Sequence, residues 1–325
     1  MSKRALVTGY TGQDGSYMAD LLLSKGYEVH GLVRRSASPN HWRIKHLEGK
    51  VNIVYGDLND QSSLDNAIRT IKPDEVYNLG AQSFVQYSFQ APLATIEASG
   101  VGVIKLLEAV KNNHKEARIF QASTSEMFGK VRETPQKETT HFYPRSPYGC
   151  AKAMAHYACV NYREAYGMHI SCGIMFNHES PRRGEEFVTR KITKGIAEFK
   201  KSGKKLSLGN LNASRDWSYA PELMEAAWLM LQRQDPGEFV LGSGETHTVK
   251  QWLEKTCEVA GVDFWNVFEQ SPTFQRQAEV DYLKADPTHA ASVLGWRTKT
   301  SFPEIVEIMY KADYDSIESC NPSQI

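Results

Sequence analysis

The chain has 325 residues, enough for one large α/β domain or a domain with a smaller companion. It is 41% hydrophobic and 23% charged with a formal net charge of +0, which gives no basis for nucleic acid or an anionic membrane surface as a principal partner. No apolar run suits a membrane span or a signal-peptide core, and the five cysteines show neither Cys-x-x-Cys nor zinc spacing. The expected setting is therefore cytoplasmic, with reduced thiols and no metal.

In chain order, residues 4–8 read as a short apolar strand and 12–24 as a helix with Met18, Leu21 and Leu22 on one face. Strands are expected at 28–33, 51–55 and 75–79, with a helix over 61–71. A long helix over 93–113 carries periodic Val103, Leu106, Leu107 and Val110. A strand at 118–123, a helix at 147–166 and a strand at 169–176 follow. The rhythm then loosens into helices at 187–201, 221–232, 249–259 and 302–311, with strands at 204–208 and 239–241. Residues 272–279 read as irregular. The regular alternation predicts an α/β fold, a Rossmann-like doubly wound parallel sheet. A smaller mixed α/β domain should follow it. The expected division is residues 1–175 for the cofactor, 176–316 mainly for substrate with a crossover back to the first part allowed, and a tail over 317–325.

Gly9-Tyr10-Thr11-Gly12-Gln13-Asp14-Gly15 joins the first strand to the first helix. Glycines there allow a tight turn and close approach of backbone to a diphosphate, and the helix start supplies N–H groups to the anion. Gly-x-x-Gly-x-x-Gly is not the commonest dinucleotide spacing, but its placement favours a dinucleotide. The second strand ends at Arg34-Arg35-Ser36. An acidic residue about 20 positions past the loop would hold a ribose 2′-hydroxyl; two arginines and a serine suit a 2′-phosphate instead. NADP is thus expected over NAD. Gly56-Asp57-Leu58 and Leu79-Gly80-Ala81-Gln82-Ser83 follow the third and fourth strands, where the rest of a dinucleotide would lie.

Ser146-Pro147 is a helix start, and Tyr148 and Lys152 stack one turn apart on the helix that follows. By itself the pair is an ordinary helix face. With Thr124-Ser125-Glu126 after the preceding strand, it becomes a hydroxyl, a carboxylate, a phenol and an ammonium around one site. A Tyr titrating near ~10 needs about 4 kcal/mol of help to act as a base near neutrality, and a lysine with a cationic nicotinamide could supply it. A plain reductase has no use for the glutamate.

On these residues the chain resembles the extended short-chain dehydrogenase/reductase superfamily, and within it the GDP-mannose 4,6-dehydratases. The narrower resemblance rests on Gln121-Ala122-Ser123-Thr124-Ser125-Glu126-Met127-Phe128-Gly129 and on Phe176-Asn177-His178-Glu179-Ser180-Pro181-Arg182-Arg183-Gly184. Phe187-Val188-Thr189-Arg190-Lys191 and Arg215-Asp216-Trp217 extend it. The resemblance implies a lyase with an internal redox cycle on a GDP-sugar. Tyr148, Lys152, Thr124 and Glu126 would be catalytic. Gly9, Gly12, Gln13, Asp14, Arg34, Arg35, Ser36, Asp57, Leu58, Leu79, Gln82, Ser83, Tyr148, Lys152, His178 and Arg183 would contact NADP. Ser83, Ser125, Glu126, Asn177, Val188, Lys191, Arg215, Arg276 and Glu279 would contact the GDP-sugar. It also implies a homodimer or homotetramer. Departures at Ala94, Gly149-Cys150, Ser218-Tyr219 and Gln277 leave a GDP-manno-heptose open beside GDP-mannose. An NADP-sensing regulatory protein on the same fold is the reading from another class, and it predicts a broken Tyr–Lys–Thr–Glu set.

Overall fold

The computed structural model describes residues 2–38, 41–270, 280 and 282–319. Its centre is a seven-stranded sheet built from β1 (Arg4–Thr8), β2 (Glu28–Val33), β3 (Asn52–Tyr55), β4 (Glu75–Asn78), β5 (Arg118–Thr124), β6 (Ile170–Met175) and β11 (Glu238–Leu241). The order is β11-β6-β5-β4-β1-β2-β3 and every pair is parallel. The order reverses between β1 and β4, so a crevice opens there at the carboxyl ends of the strands, where ligands of such sheets bind. Parallel strands are covered on both faces, which is why Ala5–Val7 and every residue of β6 are buried without alternation.

One face is covered by α1 (Gln13–Ser24) and α8 (Ala220–Gln232), which bury Met18, Leu22, Leu223 and Met230. The other is covered by α2 (Gln61–Ile71), α5 (Gly102–Asn113) and α6 (Pro147–Tyr166), through Leu64, Ile68, Leu106, Val110, Ala155 and Cys159. α2 keeps its expected limits because Asp60 caps its start and Lys72 ends it at φ 45°. The long helix expected over 93–113 is instead α4 (Pro92–Ile96), a π-turn at Glu97–Val101 and α5, preceded by the unforeseen α3 (Val85–Gln90). The Ser99 hydroxyl in that wider turn accepts from Gln82 N at 3.0 Å, tying the helix to the loop after β4.

Beyond β6 the chain leaves the sheet and returns: α8 packs on α1 and β11 pairs with β6. The rest forms a second core on α7 (Val188–Ser202), α9 (Val249–Ala260) and α12 (Phe302–Ser319), with Ile192, Ile196, Trp252, Leu253, Ile305 and Met309 buried together. Three two-stranded pairs trim it. They are β7 (Asn177–Glu179) with β10 (Trp217–Tyr219), β9 (Ser214–Arg215) with β12 (His247–Thr248), and β8 (Leu206–Leu208) with β13 (Phe268–Gln270). Most were unforeseen, because two or three residues carry no readable period. α12 continues to Ser319, past its expected end at 311 and into the expected tail. Its inward face includes Asp313, which receives Arg190 Nε and Thr193 Oγ1, each at 2.6 Å, so a polar residue hides the apolar period. The stretch expected to be irregular at 272–279 lies outside the described residues.

Candidate active site

α6 places the acid/base pair. Ser146 accepts from Gly149 N at 3.0 Å, Pro147 occupies the first turn, and the helix points its start at the crevice beyond β5. Tyr148 and Lys152 are both buried. Lys152 Nζ donates to the Ala122 carbonyl at 2.8 Å and lies 5.9 Å from the Tyr148 ring centroid. Burial pulls the lysine down to about 8. Burial also pushes the Tyr148 phenol above its ordinary value; the Thr124 hydroxyl and Arg183 pull it back in part, while the Glu126 charge adds to the rise. The lowering expected from sequence calls for a cationic nicotinamide beside the lysine; in the protein by itself desolvation of the phenolate is the largest influence on Tyr148.

β5 places the other two groups. Thr124, its last residue, caps a 3₁₀ turn at Ser125–Met127 and accepts from Glu126 N at 3.3 Å. Next to it, the Ser123 hydroxyl meets His156 Nδ1 of α6 at 2.9 Å, locking strand to helix. Thr124, Glu126, Tyr148 and Lys152 share a cavity of about 590 Å³, together with Ser83, Ser125, Asn177, Val188, Lys191 and Arg215. Lys191 and Arg215, which read as surface charges without the family resemblance, are half-buried and buried.

A second cavity of about 290 Å³ adjoins it, and Asp14, Leu79, Ser83 and Arg183 line both. Gly9, Gly12 and Gln13 line the second. Gly9 has φ 64°, and a Cβ on it would meet Gly80 at 2.8 Å; one on Gly15 would meet Gly9 O at 2.3 Å. Gly12 provides no side-chain cap, so the leading N–H groups of α1 are left for an anion. Beneath the loop, Asp14 Oδ2 faces His178 Nε2 at 3.0 Å, and Gln13 bonds the His178 carbonyl and Ser180. Burial raises Asp14, but the charge and hydrogen bond of His178, with Gln13 and Arg183, bring it down to about 2; His178 rises in return against its own burial. Arg183 lies 3.7 Å from the Phe187 ring centroid and 3.1 Å from Glu179, a fully buried carboxylate that also receives Thr189 Oγ1 at 2.5 Å.

The remaining expected residues lie elsewhere. Arg34, Arg35 and Ser36 are exposed just past β2, outside the lining of either cavity. Asp57 accepts from Asn59 N at 2.9 Å, and Leu58 packs at Gly80 and Gly102. Gln82 turns inward, donating to Thr95 Oγ1 at 3.1 Å and accepting from Phe84 N at 2.7 Å. Arg276 and Glu279 lie outside the described residues. Cys150, between Tyr148 and Lys152 in the chain, is exposed.

The family model described as GDP-mannose 4,6 dehydratase matches residues 6–309. This chain belongs to the GDP-mannose 4,6-dehydratase family. It is 46% identical to the human GDP-mannose 4,6 dehydratase over 98% of this chain and 93% of that protein. It is 47% identical to GDP-mannose 4,6 dehydratase 1 of Arabidopsis thaliana, over 96% and 90%. Among solved structures, UDP-glucose 4-epimerase of Thermus thermophilus in complex with NAD superposes with a TM-score of 0.86 at 26% identity, covering 95% of this chain and 98% of that one.

In this family member the structure adds residues to which the sequence assigned no role of their own. Thr11 and Arg43 line the smaller cavity, and Arg43 Nε donates to the Arg182 carbonyl at 2.6 Å. Arg43 sits in a short 3₁₀ helix, Trp42–Leu47, too brief to carry a readable period. Asp216, inside the Arg215-Asp216-Trp217 motif, is fully buried and accepts from Ser243 N at 2.8 Å, Gly244 N at 2.9 Å and Ala285 N at 3.1 Å. It clamps two segments, at 243–244 and at 285, beside the strand that carries Arg215; a carboxylate between an arginine and a tryptophan was the available signal. Among the described residues, no group of three His, Cys, Asp or Glu side chains is placed to hold a metal, and no helix is long and apolar enough to cross a membrane.

Proposed function

We propose that this chain is a hydro-lyase converting GDP-D-mannose to GDP-4-keto-6-deoxy-D-mannose and water, with NADP as cofactor. The observation that carries the reading is the meeting of Thr124, Glu126, Tyr148 and Lys152 in one cavity that also holds Lys191 and Arg215. The adjoining cavity fits a dinucleotide diphosphate: an uncapped helix start, close-packed glycines, and Arg43 and Arg183 as guanidinium donors. Arg34, Arg35 and Ser36, with no acidic side chain at the end of β2, support NADP over NAD. Bound there, NADP would supply the hydride acceptor for carbon 4 of the hexose and the hydride donor for carbon 6.

The residues of the chain do the proton work. Tyr148 takes the proton of the carbon-4 hydroxyl, with the Thr124 hydroxyl holding the phenol. Burial keeps Tyr148 a neutral phenol in the protein alone, so added positive charge in the cleft is what makes it a base. The ketone at carbon 4 acidifies the hydrogen on carbon 5. Glu126 removes that proton and passes it to the carbon-6 hydroxyl, which leaves as water; as carbon 6 regains hydride, carbon 5 is reprotonated by the proton Tyr148 took from the carbon-4 hydroxyl. Lys191 and Arg215 support the GDP diphosphate, Asn177 and Val188 border it, and Ser83 and Ser125 border the hexose. The chain acts in the cytoplasm as a homodimer or homotetramer; exposed Leu93, Met154 and Tyr157 support an assembled state.

The test is a panel of GDP-mannose and GDP-manno-heptose with NADP or NAD, reading 4-keto product by alkaline absorbance and mass. GDP-mannose with NADP should give product. No product from any GDP-sugar would overturn the reading, and product from the heptose alone would replace mannose.

A further inference from the structure

We infer that Gln121 is a positioning residue for Lys152: its carboxamide fixes the Ala122 carbonyl on which the Lys152 ammonium rests, as the last member of a buried polar rung that crosses the sheet from the end of β1. The inference rests on the reaction proposed above, which sets Lys152 to work beside Tyr148 at carbon 4.

Thr8 and Asn78 are the last residues of β1 and β4, and Gln121 lies in β5. The parallel register sets Thr8 opposite Asn78 and Asn78 opposite Gln121. All three side chains are buried. Thr8 Oγ1 donates to Asn78 Oδ1 at 2.6 Å, and Asn78 Nδ2 donates to Gln121 Oε1 at 2.7 Å. Gln121 Nε2 donates to the Ala122 carbonyl at 2.9 Å, and Lys152 Nζ reaches the same oxygen at 2.8 Å. At the far end, Leu79 N and Gly80 N donate to Thr8 Oγ1 at 3.1 and 3.0 Å.

The two ends set the direction of every bond. A main-chain N–H can only donate, so the Thr8 oxygen accepts and its proton goes to Asn78. A main-chain carbonyl can only accept, so the NH₂ of Gln121 faces Ala122. Each amide is left with one orientation.

Packing does not call for this row. The strands of a parallel sheet are apolar on both faces, and matched apolar side chains would fill the same space without burying two amides. The loop after β4 needs only Thr8, whose hydroxyl satisfies both of its N–H groups. Asn78 and Gln121 carry the row two strands further, and its donors end on the carbonyl that holds Lys152. That oxygen has two lone pairs. Gln121 occupies one and leaves Lys152 the other, so the ammonium is held at one point of the cavity that it shares with Tyr148. The same row begins at Leu79, which lines both cavities, so the floor of the dinucleotide site and the acid/base lysine are fixed by one set of bonds.

The test compares Gln121→Met, which keeps the length and removes the amide, with Tyr77→Phe. Tyr77 is buried on β4 beside Asn78, lines neither cavity and donates to Glu75 at 2.7 Å, so its change cuts a buried bond of the same sheet away from the site. Both variants should melt below the wild type and bind NADP nearly as it does. Gln121→Met should lose about 10- to 100-fold in kcat, the scale of a misplacement near 1 Å, with KM for GDP-mannose hardly moved. Nicotinamide reduction in the first turnover should slow in step, because the lesion lies at carbon 4. Tyr77→Phe should keep its kcat. Gln121→Glu supplies a second reading. Its neutral acid can accept from Asn78 and donate to Ala122, whereas its carboxylate cannot donate. The ratio of its kcat to that of the wild type should therefore fall as pH rises. Asp14, Glu126, Tyr148, His178 and Arg183 share the cavity with Lys152, and Cys159 acts on it from α6; all are unchanged in the variant, so the ratio isolates position 121. If Gln121→Met does not fold, Gln121→Glu decides.

Wild-type turnover by Gln121→Met would overturn the inference. So would a ratio for Gln121→Glu that does not change with pH, or a loss of kcat in Tyr77→Phe as large as that in Gln121→Met. Failure of both position-121 variants to fold while Tyr77→Phe folds would assign the row to the fold alone and overturn it too. Failure of the wild-type protein to form 4-keto product from any GDP-sugar would instead overturn the proposed reaction, and this inference with it.

Discussion

Two parts of one crevice hold their charged groups in opposite ways. At the end of β5 and the start of α6, Lys152 is held by a main-chain carbonyl and Tyr148 by the Thr124 hydroxyl. Beneath the glycine loop, Asp14 faces His178, Arg183 faces Glu179, and Arg182 reaches Asp20 at 2.7 Å. Neutral partners leave desolvation in control, so Lys152 falls to about 8 and Tyr148 rises. At Asp14 the charge and hydrogen bond of His178 override desolvation, so it falls to about 2 and stays charged, whereas burial still holds Glu179 above its ordinary value against the pull of Arg183. The difference separates groups that must exchange protons from groups that must only hold a shape.

The largest effect expected from breaking this contrast is at the chemical end. Glu126→Gln should lower kcat by about 10³-fold with NADP affinity unchanged; stopped-flow turnover beside a fluorescence titration checks it. If turnover survives, Glu126 is not the elimination base. Next, replacing both Arg34 and Arg35 by Ala should weaken NADP by about 100-fold and NAD little, since two charge-assisted contacts to a 2′-phosphate are lost. Equal weakening of both cofactors would remove the basis for preferring NADP.

Lys152→Met sharpens the contrast by separating stability from activity. The folded value of Lys152, about 8, lies below its ordinary 10.5. The unfolded chain therefore binds more protons between those values, and wild-type stability gains as pH rises through them. The burial penalty is fully present below about 8. The variant should abolish turnover yet be more stable by about 2 kcal/mol at neutral pH. That advantage should shrink toward pH 10.5, as read by urea melts at several pH values.

The smallest effect belongs to the ion-paired seam. Asp14 has a folded value of about 2 against an ordinary 3.8, so its contribution is present above 3.8 and lost as pH falls toward 2. Asp14→Asn should cost about 2 kcal/mol near neutrality and flatten that part of the acid limb. An unchanged acid limb would mean that His178 does not pin this carboxylate.

Much of the fold was legible from local pattern. Strands 4–8 and 28–33 and helices 61–71 and 147–166 read correctly because apolar period, caps and turn residues agree there. The Tyr148–Lys152 pair was legible for the same reason: both sit on one well-capped helix. The helix over 93–113 and the end of α12 misled, because a π-turn and the buried polar Asp313 break the period on which the reading depends. The two-residue strands that aim Arg215 were illegible, since pairing between distant segments leaves no local trace.

What the sequence by itself determined was the chemical set and its order: a glycine loop between the first strand and helix, a threonine and glutamate after the fifth strand, a tyrosine and lysine one helical turn apart. Residue type and spacing along one element are local properties. What only the tertiary structure decided was which of these groups share a desolvated cavity and what holds each one. The rise of Tyr148 and the fall of Lys152 depend on segments far apart in the chain meeting within a few ångströms. Desolvation and close packing are properties of that meeting, and no single stretch of sequence contains them.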